Sequence, residues 1–486
     1  MVSLFIPSEK SSYDEWEIIE NDGMERDLKI ALAEYAPGAE VIRGKFPNTY
    51  IYQSVGVYDR YNANPHHHPS GALIECADCQ SIMLVDNIED APDQCAECGS
   101  FLVMALPYVR PPGFTVDCAL PNGGGELYER GGRERSGYTI PPRLLVGETS
   151  FTTGKPQVPF APSLYVRVRR GKLFTCNKGP NPDFPGFIIC PVCGRALDPD
   201  NPGSHRYPAS VPPFSGRNIG PRAGDWCSNT TDFRNQVILG HQFVSEVILL
   251  GVDLPATMDA PLQQPSGRAA WYSFGVLVAN AAAIILQIDP GELKVGVRAV
   301  RRGLDHRLHG EVFLYDDVPG GAGYARAIEQ NMQVILEKAL ELGEQCANPD
   351  CGGACYHCMF DYRNQALHPL LDRALGAALL RFVLRRQEPS LSSAHMSRSA
   401  IPLAEYARTS WQTLPGRVVG DQYFPCILRD QQGLEVGIWV IHPLQARPTG
   451  DERQAFLMKH GLRCAVHTTF DLERRPFWVL NHLVTL

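Results

Sequence analysis

The chain has 486 residues, 44% hydrophobic and 20% charged, with a formal net charge of -8. That length exceeds what one hydrophobic core serves, so roughly three or four substructures are expected. The acidic balance excludes a protein that coats nucleic acid by bulk electrostatics, and any contact with DNA must be local.

No apolar run approaches the about eighteen residues of a membrane span, and the N-terminal MVSLFIPSEKSSYDEWEII lacks a basic start before an apolar stretch. Neither a span nor a signal peptide is expected, and no membrane partner; the default location is cytoplasmic. Fifteen cysteines in a secreted chain would suggest disulfides, but here they fall into pairs with zinc spacing, which points to reduced thiolates.

The first segment, 1–75, reads as a helix in MERDLKIALAEYAPG that stops at Pro37-Gly38, followed by strands through AEVIRG and IYQSVGVYDRY. His66, His67 and His68 sit in a Pro/Asn/Ser loop and read as solvated. Next, Cys76, Cys79, Cys95 and Cys98 form CxxC-x15-CxxC, a zinc ribbon over 76–110. Each CxxC turn presents two sulfurs to one ion, and a closed four-sulfur shell leaves no position for a catalytic water.

Segment 111–236 is Pro/Gly-rich, with loop expected across GGGELYERGGRERSGY. It supplies Cys176, Cys190 and Cys193, with Cys227 as the fourth ligand of a second site. His205 lies in the insert between Cys193 and Cys227, so a shell of three sulfurs and one histidine is the alternative. Cys118, Cys426 and Cys464 are left over as small core residues. Two basic clusters are candidates for nucleic-acid contact: Arg167, Arg169, Arg170 and Lys172, and Arg298, Arg301, Arg302 and Arg307. The alternation in VRVRR is also that of a half-exposed strand.

From Val237 to about residue 388 the pattern changes to continuous apolar runs. HQFVSEVILLGVDL reads as a strand, WYSFGVLVANAAAIILQI as a core helix, and LKVGVRAV and GEVFLYDDV as strands. Gly320, Gly321 and Gly323 precede a helix in GYARAIEQNMQVILEKALELGEQ. A glycine turn there can hold a phosphate on free amides, but no Lys-Ser/Thr follows and GxxxxGK[ST] occurs nowhere in the sequence, so close backbone packing is preferred and nucleotide hydrolysis is not expected. Cys346, Cys351, Cys355 and Cys358, spaced x4, x3, x2 around Gly352 and Gly353, suit a third structural zinc; four thiolates also suit an iron-sulfur cluster. About three zinc ions per chain are therefore expected.

The order HQFVSEVILL, WYSFGVLVANAAAIILQI, LYDDVPGGAGYA, cysteine quartet and LDR resembles the zinc-binding domain at the C-terminus of MrfA-type superfamily 2 DNA helicases. The resemblance covers about residues 237 to 385, without the two motor lobes. A chain of this kind resembles the DrmB family of accessory subunits in DISARM anti-phage systems, whose partner DrmA carries the helicase motor. The resemblance implies a cytoplasmic heterodimer with that helicase, acting on DNA in bacterial defence.

Behind the polar linker QEPSLSSAHMSRSA, residues 396–486 read as a helix, the hairpin YFPCILRDQQGLEVGIWVIHP, a helix from Asp451 to His460, and the strand RCAVHTTF with a closing helix. The order is similar to a restriction-endonuclease-like core, in which an acid and an acid-x-lysine hold a metal. Asp430 and Glu435 are the available acids, but position 437 is Gly and no lysine follows, so the core reads as degenerate. The fold class expected for the whole is α+β: zinc-ribbon elements, a mixed α/β zinc-binding core and a small C-terminal α/β domain. The function expected is that of a non-enzymatic accessory subunit; a magnesium-dependent nuclease using Asp430 and Glu435 is the competing reading, and an iron-sulfur redox switch a third.

Overall fold

The structure, a computed structural model, describes residues 2–5, 24–43, 50–57, 69–117, 122–123, 139–145, 157–181, 183–198, 204–208, 224–228, 236–302, 307–316 and 321–483. His66, His67, His68, Cys118, Asp317, Gly320 and, after Gly123, the rest of the GGGELYERGGRERSGY stretch lie outside these residues. The protein is mixed α/β with several sheets, and it divides into two units. The first comprises 1–77, 81–149 and 172–244; the second comprises 150–171 and 245–486, with the turn 78–80.

In the first unit, strands Val2–Phe5 and Gly113–Val116 run parallel, and Tyr50–Val57 pairs antiparallel with both Gly113–Val116 and Glu40–Arg43. The helix Leu28–Glu34 starts where the Asp27 carboxylate accepts from Lys29 N at 2.9 Å, and its buried face of Leu28, Ala31 and Leu32 meets Leu4, Tyr35 and Phe114. A second group of strands follows. Gly71–Cys76 pairs antiparallel with Ile82–Val85 and with Val103–Val109, the latter running parallel to Gln236–Val252 at Ile238 and Leu239. Leu73, Ile82, Leu106, Phe174 and Ile238 close the core on this sheet.

In the second unit, Gln236–Val252 pairs antiparallel with Arg307–Asp316, which forms a ten-residue hairpin with Leu293–Arg302. The helix Pro265–Leu286 lies on that hairpin. By length and composition alone it would span a bilayer, contrary to the expectation that no segment would, but it is largely buried against strands and helices as a core element. Glycines set how closely the layers approach. A Cβ at Gly275 would meet Val295 at 2.5 Å, and one at Gly310 would lie 2.1 Å from Trp271 Nε1. Trp271 needs that space, because its indole N–H donates to Ala260 O at 2.9 Å. Helices Met332–Glu344 and Arg373–Arg385 cover the other side, with Gly343 against Ala377 and Gly376 against Ser273.

The C-terminal sheet has the order Gln412–Val419, Gln422–Arg429, Glu435–Ile441, Arg463–Thr468, antiparallel twice and then parallel. The expected polar linker differs: Ser392 caps a helix Ser393–Ser399 whose Ser399 is buried, so the segment belongs to the domain. Asp430 caps its own turn, accepting from Gln432 N and Leu434 N at 2.8 Å each. Glu435 is clamped by Arg417 at 2.8 Å and Arg429 at 2.5 Å. Those hydrogen bonds hold its carboxyl below the usual range, the Arg429 bond most. Both acids are engaged with protein groups.

His467 is buried in this domain with Nδ1 unpartnered, and burial holds its imidazole down at about 4 despite Asp471 nearby. An unfolded histidine titrates near 6.5, so native stability falls as pH drops from about 6.5 to about 4. His467→Phe is expected to flatten that slope, removing up to about 3 kcal/mol of pH dependence in denaturation curves of the full chain. Gly310→Ala is expected to lower stability by about 1–3 kcal/mol, seen as an earlier urea midpoint, because Trp271 must move or lose its bond.

Candidate metal centres

Three clusters of potential ligands form among the described residues, each with its donor atoms within 4.8 Å of one another. In a tetrahedral zinc shell with Zn–S near 2.3 Å, the sulfurs stand roughly 3.8 Å apart. Cys76 and Cys98 Sγ lie 3.5 Å apart, Cys190 and Cys227 3.9 Å, Cys346 and Cys355 3.6 Å, and Cys355 and Cys358 3.8 Å. Thiolates spread over the several irons of a cluster would stand further apart, so these spacings suit one ion each.

The first cluster, Cys76, Cys79, Cys95 and Cys98, matches the expected ribbon. Its turns are set by the backbone: Cys76 N donates to Ser81 O at 3.1 Å, and Cys95 N to Ser100 O at 2.8 Å. Gly99 adopts φ 73°, and its N–H returns to Cys95 O at 2.8 Å. The Ser81 hydroxyl lies 3.1 Å from Cys95 Sγ and supplies a donor to a thiolate there. Beside the cluster, Glu75 is half-buried, which would raise its carboxyl, but Arg143 and Lys178 pair with it and hold it below the ordinary range.

The second knuckle repeats this geometry. Cys190 N donates to Arg195 O at 2.8 Å, and Gly194, at φ 74°, returns its N–H to Cys190 O at 2.9 Å. The expected set of Cys176, Cys190, Cys193 and Cys227 does not assemble as such: His205, the alternative, stands in the place of Cys176. The cluster is Cys190, Cys193, His205 and Cys227. Cys176 lies on the strand Ala161–Asn177, packed against Phe174 and Ile238, and burial pushes its thiol up to about 12. The end of this strand is buried without a break from Leu173 to Asn177, and Cys176 sits in the sheet core rather than at the knuckle. His205 is delivered by a short ladder in which Arg206 bridges to Trp226 and Cys227 N donates to His205 O at 2.9 Å. Both ring nitrogens of His205 are buried without a hydrogen-bond partner. An imidazole without partners among three sulfurs is what a metal ligand needs.

The third cluster holds Cys346, Cys351, Cys355 and Cys358, all half-buried. The loop is anchored three ways: Asn280 of the core helix donates to Cys358 O at 3.2 Å, Arg373 N to Gly353 O at 2.8 Å, and Met359 is 1% exposed. Burial would raise the Cys355 thiol, but the His357 backbone N–H and the neighbouring thiols together outweigh it and bring it down to about 6.

Among the described residues, the amides after the glycine cluster are turned onto a carboxylate of the protein itself. Ala322, Gly323 and Tyr324 donate their amides to Asp316 Oδ2 at 2.5, 3.0 and 3.3 Å. The protein's own carboxylate occupies the place a phosphate would take. Asp372 has a parallel task, accepting from Ala374 N and Leu375 N at the start of Arg373–Arg385.

The basic candidates separate. Arg170 and Lys172 are exposed and Arg167 and Arg169 half-buried on Ala161–Asn177. Arg169 and Arg170 line a cleft of about 530 Å³ with Arg326, Glu246 and Glu329. Arg298 is corrected: its guanidinium turns inward onto the buried Glu311, with Nε 2.6 Å from Oε2, and is not a surface contact. The side chains of Arg301, Arg302 and Arg307 lie outside the described residues; their backbones close the hairpin in the register Arg302 to Arg307.

The MrfA Zn-binding domain family matches residues 274–359, which take in the core helix from Phe274 on, the hairpin and the third cysteine cluster. The Druantia protein DruE of Escherichia coli (strain UMEA 4076-1) is 27% identical over 394 residues, which cover 76% of this chain and 20% of that protein. The chain thus spans about a fifth of the length of the curated relative it matches. Among solved structures, the DUF1998 helicase MrfA bound to DNA superposes with a TM-score of 0.29 at 13% identity over 73% of this chain and 35% of that one. The same helicase bound to DNA and AMPPNP gives 0.23 at 12% identity, over 72% and 32%.

Metal analysis of the purified full chain is expected to give about three zinc ions. His205→Ala is expected to lower this to about two, whereas Cys176→Ala leaves it unchanged.

Proposed function

We propose that this chain is a non-motor accessory component of a bacterial anti-phage complex of the DISARM type, acting in the cytoplasm with a DrmA-like superfamily 2 helicase on DNA. The observation that carries the reading is the MrfA Zn-binding domain match at 274–359 in a sequence without a GxxxxGK[ST] motif. Similarity to DruE supports a place in defence.

The three clusters act as staples. Cys76, Cys79, Cys95 and Cys98, then Cys190, Cys193, His205 and Cys227, then Cys346, Cys351, Cys355 and Cys358 would each hold a zinc ion that fixes loop geometry. Zinc supplies no chemistry to substrate here, because every shell is filled by protein ligands. The chain's own residues hold the surfaces in place: Asp316 fixes the turn before Tyr324, Asn280 ties the third loop to the core helix, and Arg474 reaches Asp372 at 3.3 Å to join the C-terminal domain to the zinc-binding core. In this reading the C-terminal domain is a restriction-endonuclease-like core without a working metal site. The engagement of Asp430 by its own turn and of Glu435 by two arginines supports that.

Purified alone, the chain is expected to hydrolyse no ATP and to cut no DNA with magnesium. Added to its cognate helicase, it is expected to raise DNA-stimulated ATP hydrolysis and unwinding severalfold. Equal helicase rates with and without the chain would remove the proposal, and cleavage lost in Asp430→Ala would replace it with a nuclease.

A further inference from the structure

The first zinc ribbon carries a surface that zinc stapling does not explain. Phe101 is 72% exposed, Leu102 61%, Ile88 47% and Met104 43%. Phe101 and Leu102 sit at the turn leaving the second knuckle and Met104 follows on the strand Val103–Val109, against which the short 3-10 turn Ile88–Asp90 packs. The turn is rigid. Leu102 O accepts from Ala77 N at 2.9 Å, and Leu102 N donates to Ser100 Oγ at 3.0 Å. Large apolar side chains presented from a fixed backbone lose little entropy on docking, and a clustered exposed group of them marks an interaction surface.

Charge gives the surface its partner. Between Cys79 and Met104 the sequence has Asp86, Glu89, Asp90, Asp93 and Glu97 and no lysine, arginine or histidine. The first four of these are exposed. A four-thiolate zinc shell adds a net charge of roughly -2. Such a face repels phosphates, so DNA is not its ligand. A second copy meeting it about a two-fold axis would set carboxylates against carboxylates in a chain already at -8.

We infer that the ribbon face built on Phe101, Leu102, Met104 and Ile88 docks a basic amphipathic segment of a protein partner. The apolar stripe of that segment covers the four side chains, and its Lys/Arg flank meets the carboxylates as a charged rim. This deepens the accessory-subunit reading by giving the chemistry of one partner contact, and it stands apart from whether that partner is a helicase.

The test uses the zinc-loaded full chain and labelled model peptides followed by fluorescence anisotropy: a helical Leu/Lys amphipath, the Leu/Glu counterpart, and a Ser/Lys peptide of equal charge. The Leu/Lys peptide is expected to bind, at least about tenfold more tightly than the other two, and less tightly as salt rises. Phe101→Ser with Leu102→Ser, and separately Asp86→Asn with Glu89→Gln and Asp90→Asn, are each expected to weaken it by about tenfold or more. Zinc content and circular dichroism equal to wild type confirm that these surface variants fold. Failure of the wild type to bind, unchanged binding by folded variants, or equal binding of the Ser/Lys peptide overturns the inference. A concentration-dependent dimer that is lost in the Phe101/Leu102 variant would overturn it in favour of self-association. Helicase stimulation is a separate readout, so loss of one result does not decide the other.

Discussion

The arrangement depends on bringing like charges together. Two thiolates about 4 Å apart repel by about 4 kcal/mol at the effective dielectric of a protein surface. Each cluster gathers its donors within 4.8 Å of one another. A bound cation would relieve that crowding while keeping the thiolates charged, and would couple ion binding to the folding of these loops. The loops need little apolar area of their own. They use backbone N–H groups, the Ser81 hydroxyl and a few anchors such as Met359 to aim sulfurs that the ion then locks.

The zinc-binding core is held on a different principle. There the helix Pro265–Leu286 is apolar nearly all round, and glycines at 275, 310, 343 and 376 let strands and helices close on it from several sides. A helix with that composition belongs in lipid or in the centre of a protein. Here its burial identifies the second, and the third cysteine loop is tied to it by Asn280. The metal loop thereby gains a rigid base that a free-standing knuckle lacks.

The parts legible in the sequence were those governed by local rules. CxxC spacing marked both knuckles, and continuous apolar runs marked the strand Gln236–Val252, the core helix and the hairpin that follows. The parts that failed depended on distant partners. Cys176 has the residue type of a ligand, but its strand is buried continuously from Leu173 to Asn177 and its sulfur packs with Phe174 and Ile238 in the core. His205 carried one signal, its place between Cys193 and Cys227, and nothing local showed that a ladder would bring it home. Arg298 resembled a surface charge because Glu311 sits thirteen positions away on the pairing strand, where only the register reveals it. Asp316 carries no local signal of its task, because the amides of residues 322 to 324 converge on it only once the turn is folded.

The second knuckle rests on Gly56. Gly194 O accepts from Val57 N at 2.9 Å, and a Cβ at Gly56 would lie 2.3 Å from that oxygen. The strand that receives the knuckle is therefore made early in the chain, while the ligands that shape the knuckle end at Cys227. The clearance left by one missing side chain at position 56 is thus shared by the N-terminal sheet and the second cluster, so a change made far from any ligand in the sequence would displace the knuckle that aims two of them.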